Sequence, residues 1–136
     1  QMVRGGGDVA PPQLLELCEA AVVDSIAHGR PLPGPSELGA TDASYLLGLG
    51  DAVGELRRFA LEELRRGNVA AAADHLKTME DIFDLLVRFD YPSGLVAMKR
   101  KQDIARSLIE KTRGELSVAT RGKALEEKLD RLERRL

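Results

Sequence analysis

The stretch that decides the fold is ASYLLGLGDAVGELRRFALEELRR, residues 43–66. Its apolar residues recur every three or four positions, which is the spacing of one buried face of an α-helix. They are Leu46, Leu49, Val53, Leu56, Ala60 and Leu64. Gly67 follows as a helix stop, so the pattern predicts a helix over 43–66 that is about 36 Å long.

The sequence before this stretch predicts one more helix and a loop. Residues 12–28 carry apolar side chains at helical spacing, between a proline entry and Gly29. The following segment, RPLPGPSELGATD, contains three prolines and two glycines, which favour a loop. Thr41 or Asp42 can cap the next helix.

The sequence after it predicts two further helices and a helical tail. Asn68 can cap a helix that runs to Arg88, where DYPSG ends it. A fourth helix is predicted over 95–118, with charged residues opposite its apolar stripe. From Lys123 onward, leucines at 125, 129, 132 and 136 have the spacing of a helix seam. The seam is fewer than three heptads long. As an alternative function, it could be the contact surface of an interaction adaptor.

Composition favours an all-α protein. The 136 residues are 43% hydrophobic and 31% charged, which excludes a disordered chain, and only 4% are aromatic, which disfavours strands. We predict one domain over 11–136, a bundle of long antiparallel helices, after a flexible lead-in or truncated N-terminus at 1–10. A single cysteine and no apolar run of membrane length favour a cytoplasmic protein without a membrane partner.

Charge is concentrated locally rather than over the whole chain. The net charge is only −2, so no global field marks a nucleic-acid binder. Between Lys99 and Arg113, however, six basic residues stand against two acidic ones. This cluster on the fourth predicted helix is a candidate surface for phosphate groups.

Two predicted helices each carry a pair of carboxylates one turn apart. Asp51 and Glu55 project together from one helix, and Glu16 and Glu19 from another. If the two pairs meet, their repulsion is relieved by a hard divalent cation, Mg²⁺ or Mn²⁺, and its bound water can attack a phosphodiester. The alternative is an ordinary solvated face on which each acid pairs with an arginine.

Three glycines surround the second acidic pair. Gly48, Gly50 and Gly54 each cost helix stability, about 1 kcal/mol relative to alanine. Their presence inside a helix predicts the close approach of another backbone.

Four segments carry a family resemblance. They are ELCEA at 16–20, YLLGLGDAVGELRR at 45–58, RRGN at 65–68 and FDYPSGLVAMKRKQDIARSLIEKTRGEL at 89–116. On these segments the chain resembles the translin and TRAX family, especially its archaeal members, over about residues 13–118. The family's long N-terminal helices are not evident before Pro11, which is a departure from its pattern.

The resemblance implies an all-α subunit that assembles into a closed homo-oligomer, an octamer or a hexamer, around single-stranded or short duplex RNA. Single-stranded DNA is a second implied ligand. TRAX-type members are metal-dependent endoribonucleases, and their acidic motifs fall on Glu16, Glu19, Asp51 and Glu55, which are thereby implied as catalytic residues and ligands of Mg²⁺ or Mn²⁺. The alternative is a non-catalytic, translin-like nucleic-acid-binding or scaffolding oligomer.

RNA contact is expected to use basic side chains against phosphates. The candidates are Arg57, Arg58, Lys99, Arg100, Lys101, Arg106, Lys111 and Arg113. Their alternative role is to pair with acids on helix faces. Base stacking is not expected to dominate, because the phenylalanines at 59, 83 and 89 fall at core-like positions. Cys18 is expected to be a buried small residue, and His28 and His75 to be surface or loop residues.

Overall fold

The computed structural model describes residues 11–88 and 95–136, which form four α-helices and no strand. The helices are α1 (Pro11–Ala27), α2 (Asp42–Arg65), α3 (Val69–Arg88) and α4 (Leu95–Arg135). The all-α prediction is confirmed, and α1, α2 and α3 begin and end within one residue of their predicted bounds. The predicted lead-in at 1–10 and the DYPSG break at 90–94 lie outside the described residues.

The predicted caps account for these bounds. The Thr41 hydroxyl accepts a 3.1 Å hydrogen bond from the Ser44 amide at the start of α2. The Asn68 side chain likewise accepts one of 3.2 Å from the Ala71 amide at the start of α3. At the end of α2, Gly67 has a φ of +82°, a left-handed conformation that glycine adopts without strain.

α2 is the central element of the bundle. It packs against each of the other three helices, whereas α1 packs against α2 alone among the described helices. Leu49, Val53 and Leu56 of α2 are fully buried in the core. The same core includes Met79, Ile82 and Leu86 of α3 and Met98, Ala105 and Ile109 of α4. Residues on α2 are therefore positioned by all three of the other described helices.

The division of the C-terminal region into a helix over 95–118 and a separate tail is wrong. α4 is one continuous helix of 41 residues. Gly122 does not interrupt it, because an exposed helical glycine costs only about 1 kcal/mol. Every residue from Thr120 to Leu136 is exposed, so the predicted leucine seam packs against no other described part of the chain.

None of the helices in the described ranges is both long enough and apolar enough to cross a membrane.

Candidate functional site

The centre of α2 is the point where neighbouring helices come closest. A Cβ atom built on Gly48 would lie 2.7 Å from Cβ of Cys18 on α1, and one on Gly50 would lie 3.1 Å from Cβ of Lys101 on α4. A Cβ on Gly54 would meet nothing within 4 Å. The predicted close approach of another backbone is confirmed at Gly48, where the added Cβ would also lie 3.3 Å from backbone atoms of Glu19 and Leu15. At Gly50 only side-chain atoms come close, and at Gly54 nothing does. Gly48 thus contacts α1, and Gly50 contacts Lys101 of α4.

The acidic pairs of α1 and α2 lie near one another. The pKa of Glu19 is raised, first by its partial burial and then by the negative charges of Asp51 and Glu55. Glu16 adds a smaller effect in the same direction, and Lys101 opposes it. The close packing of α1 on α2 is the geometric basis of this effect, since the Glu19 amide nitrogen would lie 3.3 Å from a Cβ added to Gly48, three residues before Asp51.

Two of these acids already have a cationic partner. The Lys101 ammonium donates a hydrogen bond to Asp51 Oδ1, and Arg58 pairs with Glu55 one turn along α2. Within the described part of the chain, no three or more histidine, cysteine, aspartate or glutamate side chains are arranged to hold a metal ion. The predicted ligand role of the four acids therefore stays a prediction.

Arg57, a predicted RNA contact, joins α2 to α4. Its guanidinium donates hydrogen bonds to the Thr112 hydroxyl at 2.9 Å and to Glu115 at 2.7 Å, both on α4. The side chain is only 16% exposed. This geometry favours a structural role for Arg57, while its neighbour Arg58 is 74% exposed.

The basic cluster of α4 contains both paired and unpaired side chains. Arg106 pairs with Asp103 and lies over the Phe83 ring at 5.3 Å, so this phenylalanine is next to the cluster rather than remote from it. Arg113 forms a 2.6 Å ion pair with Glu80 of α3. The exposed members that form no ion pair with any described residue are Lys99, Arg100 and Lys111.

The remaining candidates have structural positions. Cys18 is fully buried as predicted, and burial raises the pKa of its thiol, which disfavours a nucleophilic role. His28 is exposed and hydrogen-bonds the Asp24 carbonyl at 2.8 Å. His75 differs from its surface prediction, since it is partly buried, with its ring 5.8 Å from that of Phe59. Phe89 lies outside the described residues.

Sequence reasoning missed the two contacts that organise this site. Neither the Lys101–Asp51 pair nor the Arg57–Thr112 hydrogen bond could be found from local spacing, because their partners are 50 and 55 residues apart. The glycine at position 50 was the only local signal of the first contact, since it indicated that some other chain segment approaches α2 there.

Comparison with known proteins gives both a family and solved structures. A model of the Translin family matches residues 14–133. The uncharacterised protein MJ0175 of Methanocaldococcus jannaschii is 36% identical over 128 residues, which are 93% of this chain and 57% of that protein.

Two solved structures share the fold at the same level of identity. The structure of an AfC3PO–duplex RNA complex matches with a TM-score of 0.77 and 32% identity, over 87% of this chain and 62% of that one. The crystal structure of AfC3PO matches with a TM-score of 0.72 and 32% identity, over 82% of this chain and 60% of that one. The chain thus spans about three-fifths of the length of these relatives.

Proposed function

The chain belongs to the Translin family, and from this premise we propose that it binds RNA as a subunit of a translin-like oligomer and cleaves it as a TRAX-type, metal-dependent endoribonuclease. The geometric observation that carries the proposal is the close packing of α1 on α2, which sets the Glu19 amide nitrogen 3.3 Å from a Cβ added to Gly48, about one turn before Asp51. The match to AfC3PO, one structure of which is a complex with duplex RNA, supports RNA as the ligand.

The acids fit a hard divalent cation by their chemistry. Glu16, Glu19, Asp51 and Glu55 offer only carboxylate oxygens, which Mg²⁺ and Mn²⁺ accept as ligands. Partial burial, and after it the negative charges of Asp51 and Glu55, raise the pKa of Glu19, and a bound cation would favour its ionised form. When bound, the ion would activate a water molecule and stabilise charge developing on phosphorus.

The exposed cations of α4 suit the RNA backbone. Arg100 and Lys111 are eleven residues apart, which is about three helical turns, so they project from nearly the same face of α4, about 16 Å apart. Lys99 lies beside them, and all three side chains are exposed. Contacts of this kind are with phosphates, so they tolerate any sequence, weaken with salt and admit single-stranded DNA as a second ligand.

The C-terminal part of α4 is the candidate subunit contact. Leu125, Leu129 and Leu132 are exposed large apolar side chains at helix-seam spacing. Burial of such a seam against another helix supports a homo-oligomer, for which we keep the hexamer or octamer as the proposed sizes.

A non-catalytic, translin-like RNA-binding or scaffolding oligomer is the second candidate. The observation that favours it is the pairing of Asp51 with Lys101 and of Glu55 with Arg58, which leaves these acids in ion pairs. In this function the acids have no catalytic role: the Asp51–Lys101 pair joins α2 to α4, the Glu55–Arg58 pair stays within α2, and the basic face of α4 alone contacts RNA.

Cleavage of labelled RNA separates the two functions. Single-stranded and short duplex RNA are incubated with Mg²⁺ and with wild type, Glu19→Gln or Asp51→Asn, and binding is measured in parallel. We expect cleavage by wild type and a loss of at least about hundredfold in each variant, with RNA binding retained. Glu62→Gln is the matched control, since Glu62 lies two turns beyond Glu55 on α2 and pairs with Arg65. Wild type that binds RNA but does not cut it would establish the second function.

A further inference from the structure

The leucine seam of α4 is open along its whole length. Its side chains occupy the alternating a and d positions of a heptad repeat, in which Leu125 is at d and Leu129 at a. In chain order these positions are Val118, Gly122, Leu125, Leu129, Leu132 and Leu136. The five apolar side chains among them are between 49% and 97% exposed. The seam therefore presents an apolar stripe that no described helix covers.

Two rows of opposite charge border this stripe. The g positions on one side are basic, with Arg121, Lys128 and Arg135. The e positions on the other side include Glu126 and Glu133 and no basic residue. All five charged side chains are exposed, and none of them forms an ion pair with any residue that the structure describes. Both rows are thus available to a partner helix.

The sign of each row distinguishes the two orientations that a second copy of the seam could take. In a parallel pair, a g residue of one helix faces the e residue five positions later on the other helix. Arg121 would face Glu126, and Lys128 would face Glu133, so each of these contacts is attractive. In an antiparallel pair, g faces g and e faces e, so the charges that meet would repel one another. The charges therefore favour the parallel orientation.

The rest of the chain leaves room for such a pair. α4 packs on the bundle through Ala105 and Ile109, which are buried. At about 100° per residue, both lie about 160° around the helix axis from Leu125. The described helices therefore lie on the side of α4 away from the seam, where they do not obstruct a second copy.

We propose that the leucine seam binds the same seam of a second copy of this chain, parallel and in register, as a short two-stranded coiled coil. The inference rests on the proposed function, because it takes the chain as a subunit of a homo-oligomer. A contact between identical surfaces has two-fold symmetry, so the assembly would be built from pairs of subunits. Both proposed sizes, the hexamer and the octamer, allow this.

A cysteine placed in the seam of the full chain tests the orientation. Gly122→Cys adds a thiol at an a position without removing a leucine, and the space around Gly122 is open. In the parallel pair the two new thiols are adjacent, so mild oxidation should give a disulfide-linked dimer on non-reducing gels. In an antiparallel pair centred on the seam they would be about 15 Å apart, too far for a disulfide. Thr120→Cys, on the outer side of the same turn, is the matched control, and wild type controls for the buried Cys18.

Charge reversal tests the contacts that border the seam. Arg121→Glu together with Lys128→Glu places acids opposite Glu126 and Glu133, so we expect the dissociation constant of the pair to rise at least about tenfold in analytical ultracentrifugation. Adding Glu126→Lys and Glu133→Lys to the same chain restores attraction with the signs exchanged. The four-site variant should therefore pair as wild type does, and its recovery would show that the two-site variant did not fail through misfolding.

The outcomes separate this inference from the proposed function. Equal disulfide yields from Gly122→Cys and Thr120→Cys in an oligomeric protein would overturn the parallel contact and leave the homo-oligomer standing. The same conclusion would follow if the two-site charge variant paired as tightly as wild type. A wild type that stays monomeric at every concentration would overturn both the seam contact and the oligomer.

Discussion

Arg57 of α2 donates a 2.9 Å hydrogen bond to the hydroxyl of Thr112 on α4, and Thr112 is only 1% exposed. The same hydroxyl donates a 2.7 Å hydrogen bond to the Leu108 carbonyl, and the guanidinium also binds Glu115. The two helices are therefore joined by a polar network whose groups all have partners. Breaking it removes the only charged donor of the buried Thr112 hydroxyl in the described structure, while Glu115, 42% exposed, can turn to water.

Arg57→Met is expected to lower the free energy of unfolding by about 2 kcal/mol, because Thr112 and Glu115 lose their charged donor. Urea unfolding followed by circular dichroism measures the change. Arg58→Met is the adjacent control and should cost no more than about 0.5 kcal/mol, since Arg58 is exposed. Equal effects of the two variants would contradict a joining role for Arg57.

Gly48→Ala should destabilise the subunit by about 2 kcal/mol, because the new methyl group would lie 2.7 Å from Cβ of Cys18 and force α1 away from α2. Gly54→Ala on the same helix has open space at the new Cβ, so it should stabilise by up to about 1 kcal/mol through helix propensity. Thermal unfolding of both variants checks the pair. A stable Gly48→Ala variant would show that the two helices can separate at little cost.

Glu19→Gln should raise stability at neutral pH. The pKa of Glu19 is raised in the folded state, so ionisation of this carboxyl group destabilises the folded protein. The destabilisation is complete at pH values above the folded-state pKa. It disappears at about pH 3.5, where Glu19 is protonated in both the folded and the unfolded state. Urea unfolding at both pH values should therefore show the gain only near neutrality.

Glu62→Gln is expected to change stability at neutral pH in the opposite direction. The hydrogen bond that Glu62 accepts from Arg65 lowers the pKa of Glu62. The ionised carboxylate therefore stabilises the folded state at neutral pH, and this stabilisation is lost as the pH falls through the lowered pKa. The glutamine variant should lose stability slightly at neutral pH and match wild type in acid. The same direction of change in both variants would exclude burial and neighbouring acids as the cause of the Glu19 effect.

Leu129→Glu together with Leu132→Glu should reduce the mass of the assembly in solution, because both leucines are exposed on the seam of α4 and a charge there opposes burial. Light scattering over a range of protein concentrations measures this mass. Arg134→Glu, on the same helix turn, changes the charge without touching the leucines and should leave the mass unchanged. An unaltered mass in the double variant would place the subunit contact elsewhere.

Much of the fold followed from local chemistry. The spacing of leucines in α2, the caps at Thr41 and Asn68 and the stop at Gly67 were all correctly predicted, since each depends on neighbours within a few residues. The continuity of α4 was not predicted, because a glycine and polar residues near position 120 weaken a helix without ending it.

The contacts at the site were harder to predict because they join residues that are far apart in the sequence. Arg57 and Arg58 are adjacent in sequence, and nothing local shows that one meets α4 while the other faces solvent. Lys101 likewise belongs to a cluster of basic residues that were all predicted to contact phosphate, and nothing local distinguishes it from the others. Which charge pairs with which acid depends on helix packing, and no periodicity encodes it.

α4 projects well past the other helices. Its final 16 residues, about 24 Å of helix, keep their backbone hydrogen bonds without a single buried side chain. Most helical stability in proteins comes from packing of an apolar face, and this overhang packs against none of the described residues. If the proposed contact between copies forms at the leucine seam, ordering of the overhang and docking of the second copy are one event, so the ellipticity of the protein should rise with its concentration.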